Sequence, residues 1–391
     1  MDFTPSEEQS AARGLAARIF GDRSTHERLS AAGTGTDAAL WKELCVAGLP
    51  AAVEDVGLLG LVLLLEEQGR TTAQVPLAAT CVYGVLAVAA HGTAEQRERL
   101  LPGLGDGTAV ATGALPARGG VRAAENGALY GAVPWVPWLR DATHVLVADV
   151  DRALWLVEAG APGVTAEPVE TTAPWSAGRL ALDGVRGERL GDGVGGECQA
   201  DAVRGWLRGD TTTGKPPHTE PREPSCTGPV RPVRHGPDAY AAVLAAARIA
   251  FAGLQAGVCA GALARAVHHT VTREQFGRPL STNQGVLLRA ADAHMDTEAI
   301  RVTAYEAAWR YDEGLDHAAQ ALTAAWWASE AGRRVVHAVQ HLHGGTGADL
   351  DHPVHRHFLW GRQLDAYLGC GGEVLEELGL LLAAAPQEDA P

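Results

Sequence analysis

The hydrophobic period changes twice along this chain, and that order constrains the fold more than any single residue does. Apolar residues recur at helical spacing through Leu15 and Ile19, through Leu40, Trp41 and Leu44, and through Leu58–Leu65 before Glu66-Glu67-Gln68-Gly69-Arg70. Residues 1–108 therefore read as helical. Over 109–190 the pattern turns to short β-rich runs, such as Thr143–Ala148 and Ala153–Val157, separated by Gly and Pro. A Gly, Pro, Thr and Arg-rich stretch, 191–237, includes Lys215-Pro216-Pro217 and reads as an irregular insertion. From 238 to 391 the helical period returns with Ala-rich faces, which permit the close packing of a four-helix bundle. The expected fold is α+β and mainly α: an N-terminal helical domain, a small middle β domain and a C-terminal helical bundle that associates. At the start, Thr4 is placed to cap the first helix, with Pro5 in its first turn and Glu7 reaching back.

A length of 391 residues suits a fold of several packed layers or subdomains. The formal charge of −15 argues against a nucleic-acid partner, because phosphate-backbone binders concentrate Lys and Arg. Met1-Asp2-Phe3-Thr4-Pro5 lacks the basic and apolar segments of a secretory signal, and no unbroken run of eighteen apolar residues occurs. A cytoplasmic protein with no membrane partner is expected. Cys45, Cys81, Cys198, Cys226, Cys259 and Cys370 form no C-x-x-C pair, so they suggest neither a zinc knuckle nor a disulfide framework. His352, His355 and His357 lack an acidic partner at zinc-helix spacing, and no metal is expected there.

Three segments carry a resemblance. Arg273-Glu274-Gln275-Phe276-Gly277 is followed by Gln284, eleven residues after the Arg. His341-Leu342-His343-Gly344-Gly345-Thr346-Gly347 precedes Pro353, and Trp41, Leu44, Gly48, Glu66-Glu67, Gly69-Arg70 and Pro76 recur near the N-terminus. Taken singly, an R-x-x-F-G is compatible with a solvated Arg before a turn, and G-G-x-G with a helix stop. Together and in this order they resemble the acyl-CoA dehydrogenase flavoprotein superfamily.

The resemblance implies FAD shared between subunits. Arg273 would lie at the diphosphate, where a permanently charged fork grips phosphate oxygens, with Phe276 and Gln284 nearby. His341 stands where the family has Gln, and Gly344 and Gly345 would let the backbone approach the adenosine end. In the middle domain Ala114-Leu115-Pro116 and Pro134-Trp135-Val136 replace the family's hydroxyl-bearing flavin segments, leaving Trp135 to cover the flavin ring. Cys370 completes the expected cofactor contacts, and Arg248, Tyr367, Leu368 and Gly369 would line the substrate.

The main departure is the general base. The family's Tyr-Glu-Gly-Thr falls on Tyr367-Leu368-Gly369-Cys370, so a leucine occupies the carboxylate position. The alternative family position, immediately before Arg248, holds Ala247. A positioned base contributes on the order of 10² to 10⁴ in rate, so ordinary dehydrogenation should be slow. Asp365 shares a helical face with Leu368 and is the one stand-in. Three functions stay open at this point: FAD-dependent oxidation of a CoA or carrier-protein thioester, flavin-dependent monooxygenation on the same fold, and a non-catalytic subunit of a mixed assembly with a Glu-bearing homologue. The chain would form a homodimer, a homotetramer or such a mixed tetramer.

Overall fold

The computed structural model describes residues 3–191 and 238–384; nearly all of the 191–237 insertion lies outside them. Helices α1 (Glu7–Arg23), α2 (His26–Ala31), α3 (Ala38–Val46), α4 (Leu49–Thr71), α5 (Leu77–His91) and α6 (Ala94–Asp106) come first. The middle of α5, Thr80–Leu86, is wound as a π-helix. The first helix starts later than Thr4. Its cap is Ser6, whose hydroxyl accepts from the Gln9 amide while the Gln9 side chain accepts from the Ser6 amide. This reciprocal box satisfies two otherwise orphaned N–H groups, which Thr4 and Glu7 do not.

Helix α4 is broken at Gly57, which has φ 72°. The residues after the break begin a new helical turn with free amides. Asp312 supplies their acceptor, its carboxylate receiving Leu58 N–H at 2.7 Å and Leu59 N–H at 2.8 Å. A Cβ at Gly57 would lie 2.8 Å from that carboxylate, so glycine is required twice over.

The middle region pairs its strands into two four-stranded sheets, ordered β1-β4-β5-β8 and β2-β3-β7-β6. The strands are β1 (Ala111–Ala114), β2 (Val121–Ala123), β3 (Ala128–Val136), β4 (His144–Ala148), β5 (Leu154–Glu158), β6 (Val164–Pro168), β7 (Gly178–Arg186) and β8 (Glu188–Arg189). The β1–β4 pair is parallel; the other pairs in these sheets are antiparallel. Alternate residues Leu129, Val145, Val147, Val157, Leu180 and Leu182 point inward and form a second core between the sheets.

Helices α7 (Ala239–Thr272), α8 (Gln284–Asp312), α9 (Ala318–His343), α10 (Pro353–Leu364) and α11 (Gly371–Ala384) make the last region. A hairpin of β9 (Glu274–Gln275) and β10 (Arg278–Pro279) joins α7 to α8. By length and composition α7 could cross a membrane, yet 94% of its most apolar window is buried within the protein, as in a core helix. It packs on α4 so closely that a Cβ at Gly257 would lie 2.1 Å from the Glu66 carbonyl. Glu66 itself, 1% exposed, accepts from Arg70 at 2.6 Å, Arg301 at 2.8 Å and Tyr305 at 2.6 Å. Burial pushes this carboxyl up, but Tyr305 and the arginines outweigh it and hold it below the usual value. The Glu66-Glu67-x-Gly69-Arg70 segment thus ties the first and last helical regions together.

Candidate functional site: a filled half and an open half

The residues expected around flavin and substrate separate into two groups. In the first, Trp135 at the end of β3 meets Tyr367 edge-on with ring centres 5.0 Å apart. Tyr367 also packs against Phe251 of α7 at 4.6 Å and against Trp175 at 6.3 Å. Trp175 comes from the β6–β7 connection, is 1% exposed, and stacks on Trp138 at 5.9 Å while its edge meets Trp360 of α10 at 5.5 Å. Beneath them the Tyr83 and Tyr367 hydroxyls share a 2.8 Å hydrogen bond. Burial raises the pKa of both phenols well above the ordinary value, so both remain neutral.

Leu368 is buried in the same apolar core, and Ala247 is fully buried. Arg248 lies nearby on α7, but its fork is occupied by Glu377 of α11, Nη1 to Oε1 at 2.9 Å and Nη2 to Oε2 at 2.5 Å. Gly369 adopts φ 115°, and the exposed Cys370 donates its backbone N–H to Glu373 at 3.2 Å. Asp365 pairs with Arg362 at 2.6 Å. Burial raises its carboxyl, with Arg362 and Arg333 opposing.

A flat ring needs about 3.5 Å of clearance on each face. An isoalloxazine lying between Trp135 and Tyr367 would therefore need roughly 7 Å, where the structure has two rings in edge contact. As they stand, Trp135 and Tyr367 leave no ring-thick gap between them.

The second group is open. Arg273 caps the C-terminus of α7 and is exposed, with no carboxylate partner among the described residues. Phe276 sits at the hairpin tip, 100% exposed, with φ 54° beside Gly277 at 76°. Two successive positive φ values give the turn the twist that suits a two-residue hairpin. Phenylalanine is strained there in a way that asparagine or glycine would not be. Gln284 at the start of α8 and His341 near the end of α9 are exposed. Gly344 and Gly345 are exposed as well, and a Cβ at either would meet nothing within 4 Å. An unpaired guanidinium beside uncovered glycine backbone fits the diphosphate and adenosine end of FAD.

These two segments are joined by three histidines. His269, one turn before Arg273, stacks on His343 at 4.6 Å, and His343 meets His352 at 5.3 Å. Sequence motifs do not single out His269, Trp175, Phe251, Tyr83 or Glu377 for this site. Trp175 lies in an ordinary-looking Ala-Pro-Trp turn, and the others carry no local signal. Of the His-x-x-His-x-His segment, His352 caps α10, His355 lies against Phe358, and His357 is buried between the Arg70 and Pro353 carbonyls.

A helical, β, helical chain with a flavin-type hairpin and a G-G-x-G turn defines the class as an acyl-CoA dehydrogenase-like flavoprotein. Residues 6–108 match the acyl-CoA dehydrogenase N-terminal domain and residues 234–376 the acyl-CoA dehydrogenase C-terminal domain. Acyl-CoA dehydrogenase FadE27 of Mycobacterium tuberculosis is 32% identical over 99% of this chain and 100% of its own length. A solved structure of a variant of the Tcur3481-Tcur3483 steroid ACAD is 39% identical, covering 96% of this chain and 98% of that one, with a TM-score of 0.81. The ChsE4-ChsE5 complex from Mycobacterium tuberculosis is 29% identical, covering 99% of this chain and 100% of that one, with a TM-score of 0.82. This chain belongs to the acyl-CoA dehydrogenase family, whose cofactor is FAD.

Proposed function

We propose that this chain is the base-less subunit of a mixed acyl-CoA dehydrogenase assembly, completing an FAD site whose general base is a glutamate of a homologous partner. The observation that carries this reading is the contrast within one chain. The half that would hold the flavin ring and thioester is packed with Trp135, Trp175, Phe251 and Tyr367, and its base position is Leu368. The half that faces outward keeps Arg273, Phe276, Gln284, His341, Gly344 and Gly345 uncovered.

Bound FAD supplies the hydride acceptor for α,β-oxidation of an acyl thioester. In that assembly Arg273 would grip the diphosphate in a fork, and the backbone at Gly344 and Gly345 would admit the adenosine end. Phe276 would exclude water at the tip of the hairpin. The buried Tyr83–Tyr367 pair and the Arg248–Glu377 pair would hold this chain's own cleft shut. Monooxygenation in that cleft would need the same space for a flavin ring, so the packing speaks against it too. Two similar solved structures carry paired designations in their names, and one of them is described as a steroid ACAD. A CoA or carrier-protein thioester bearing a steroid-like acyl group is therefore the first substrate class to try.

The test is to purify the chain alone and together with a Glu-bearing homologue, and to measure flavin absorbance and mass. The chain alone should be nearly colourless and inactive, and the mixed assembly should hold one FAD per pair of chains. One FAD per protomer in the chain alone, with turnover of an acyl-CoA, would overturn the proposal.

A further inference from the structure

The stack of His269, His343 and His352 has no part in the chemistry proposed above, yet it occupies the junction between the two open flavin segments. His269 lies in the last turn of α7, and its carbonyl accepts the Arg273 N–H at 2.8 Å. His343 is the last residue of α9, directly before Gly344. His352 is the N-cap of α10.

The three rings differ in what they can do with a proton. His343 donates Nδ1–H to the Val339 carbonyl at 2.9 Å. His352 Nδ1 accepts from Val354 N–H at 3.2 Å. Protonating that nitrogen would break the cap and place a cation at a helix N-terminus, which is unfavourable on both counts. His269 has no hydrogen bond to either ring nitrogen among the described residues and is only half-buried, so it is the ring free to take a proton. Around it lie His343 of α9, His352 of α10, and Arg273 and His268 of its own segment. Around His352 lie His343, Arg265 of α7 and His26 of α2, with Asp349 the opposing acid. Burial first, and then these neighbours, hold His269 and His352 below the usual imidazole value. In a chain of net charge −15, this is a local concentration of basic side chains. The rings face one another, and no group of three His, Cys, Asp or Glu among the described residues is arranged to hold a metal.

We propose that His269, backed by His343 and His352, is a proton-linked positioning residue of the FAD diphosphate seat beside Arg273, so that the flavin is held more tightly as the pH falls. This rests on the reading that Arg273 meets the diphosphate. The physics is linkage. An anion placed beside the stack favours the charged imidazole, raising its pKa in the complex over its value in the free protein. Binding then takes up a proton, and affinity grows as pH drops between the two values. A single linked proton gives at most about tenfold per pH unit.

FAD affinity of the mixed assembly, stripped of flavin, is measured by flavin fluorescence between pH 5.5 and 8, with riboflavin, which lacks phosphate, as a parallel ligand. Circular dichroism at each pH verifies that the protein is folded. FAD should bind about three- to tenfold more tightly at pH 5.5 than at pH 7.5, and riboflavin should show no such slope. His269→Gln should flatten the slope at the weak level, whereas His269→Lys, permanently charged, should flatten it at the tight level. A wild-type profile that is flat, or a slope that survives His269→Gln, overturns the role of the stack. Arg273→Ala separates the two readings. If it weakens FAD binding and no pH slope exists, only the histidine inference falls; if it leaves FAD binding unchanged, the diphosphate assignment beneath it falls as well.

Discussion

The two halves of the site contain the same kinds of residue and treat them in opposite ways. Around Tyr367, aromatic rings are buried against one another and a guanidinium, Arg248, is neutralised by Glu377. Around Gly277, an aromatic ring and a guanidinium, Phe276 and Arg273, are exposed and without partners among the described residues. A monomer gains nothing by exposing Phe276 on a backbone with positive φ. Burying Trp175 and Tyr367 stabilises it directly. The first arrangement makes sense within one chain, and the second makes sense only against something else. Comparing them separates what this chain needs for its own folding from what it offers outward.

The strongest way to break the comparison is to open the filled half. Trp175→Ala should cost about 3–5 kcal/mol of stability, the range for deleting a large aromatic from a packed core. Denaturant unfolding measures this, and a loss below about 1 kcal/mol would show that the cluster is not a packed plug. Leu368→Glu places the family's carboxylate in the same core and should cost roughly 3 kcal/mol at neutral pH. Burial would hold its pKa above the free value of about 4.3, so the ionised form is the disfavoured one. The loss should therefore be smallest near pH 4 and grow as pH rises from the unfolded-state value toward the folded-state pKa. Thermal melts at pH 5 and pH 8 test the sign. With the cleft filled, this variant should not gain acyl-CoA oxidation, and measurable turnover by it would mean the cluster yields to substrate.

On the open side effects on folding should nearly vanish while effects on flavin persist. Arg273→Ala should weaken FAD binding in the mixed assembly by about 10- to 150-fold, the loss of one charge-assisted contact, with little change in unfolding of the chain alone. The smallest effect sharpens the contrast most. Phe276→Asn replaces a strained residue by one that accepts positive φ before Gly277, and should stabilise the isolated chain by about 0.5–1 kcal/mol. The same change should loosen the assembly or its flavin. A variant that stabilises both would remove the argument that Phe276 is retained for a partner.

Much of the fold could be read from the residues because its signals are local. The helical spacing of Leu40, Trp41 and Leu44, the short β-rich run Thr143–Ala148 and the contiguous Arg273–Gly277 motif each lie within one segment. The count from Gly344 to Leu368 locates the missing base for the same reason. The closed cleft could not be read this way. Trp175 arrives from a strand connection, Phe251 from α7 and Tyr83 from the π-wound part of α5, and only tertiary packing brings them to Tyr367. Trp135 reads in sequence as the cover of a flavin ring. Such a motif specifies that a tryptophan is present, but not whether a flavin or a neighbouring tyrosine lies against it. The start of α1 moves from Thr4 to Ser6 because two overlapping capping patterns compete there, and the one that satisfies both amides prevails.

The break in α4 at Gly57 has a consequence for hydrogen exchange. Amides in the first turn after a helix break ordinarily exchange by local fraying, because no earlier carbonyl holds them. Those of Leu58 and Leu59 are instead held by Asp312, the last residue of α8. Their exchange should report the separation of α8 from α4, and so track the docking of the last helical region onto the first. Burial pushes the Asp312 carboxyl up to about 6 against the pull of those same amides. Below that pH one of its two oxygens carries a proton and ceases to be a strong acceptor. Relative to intrinsic rates, the protection of these two amides should therefore fall between pH 7 and pH 5, while amides deeper in α4, such as that of Leu63, keep theirs.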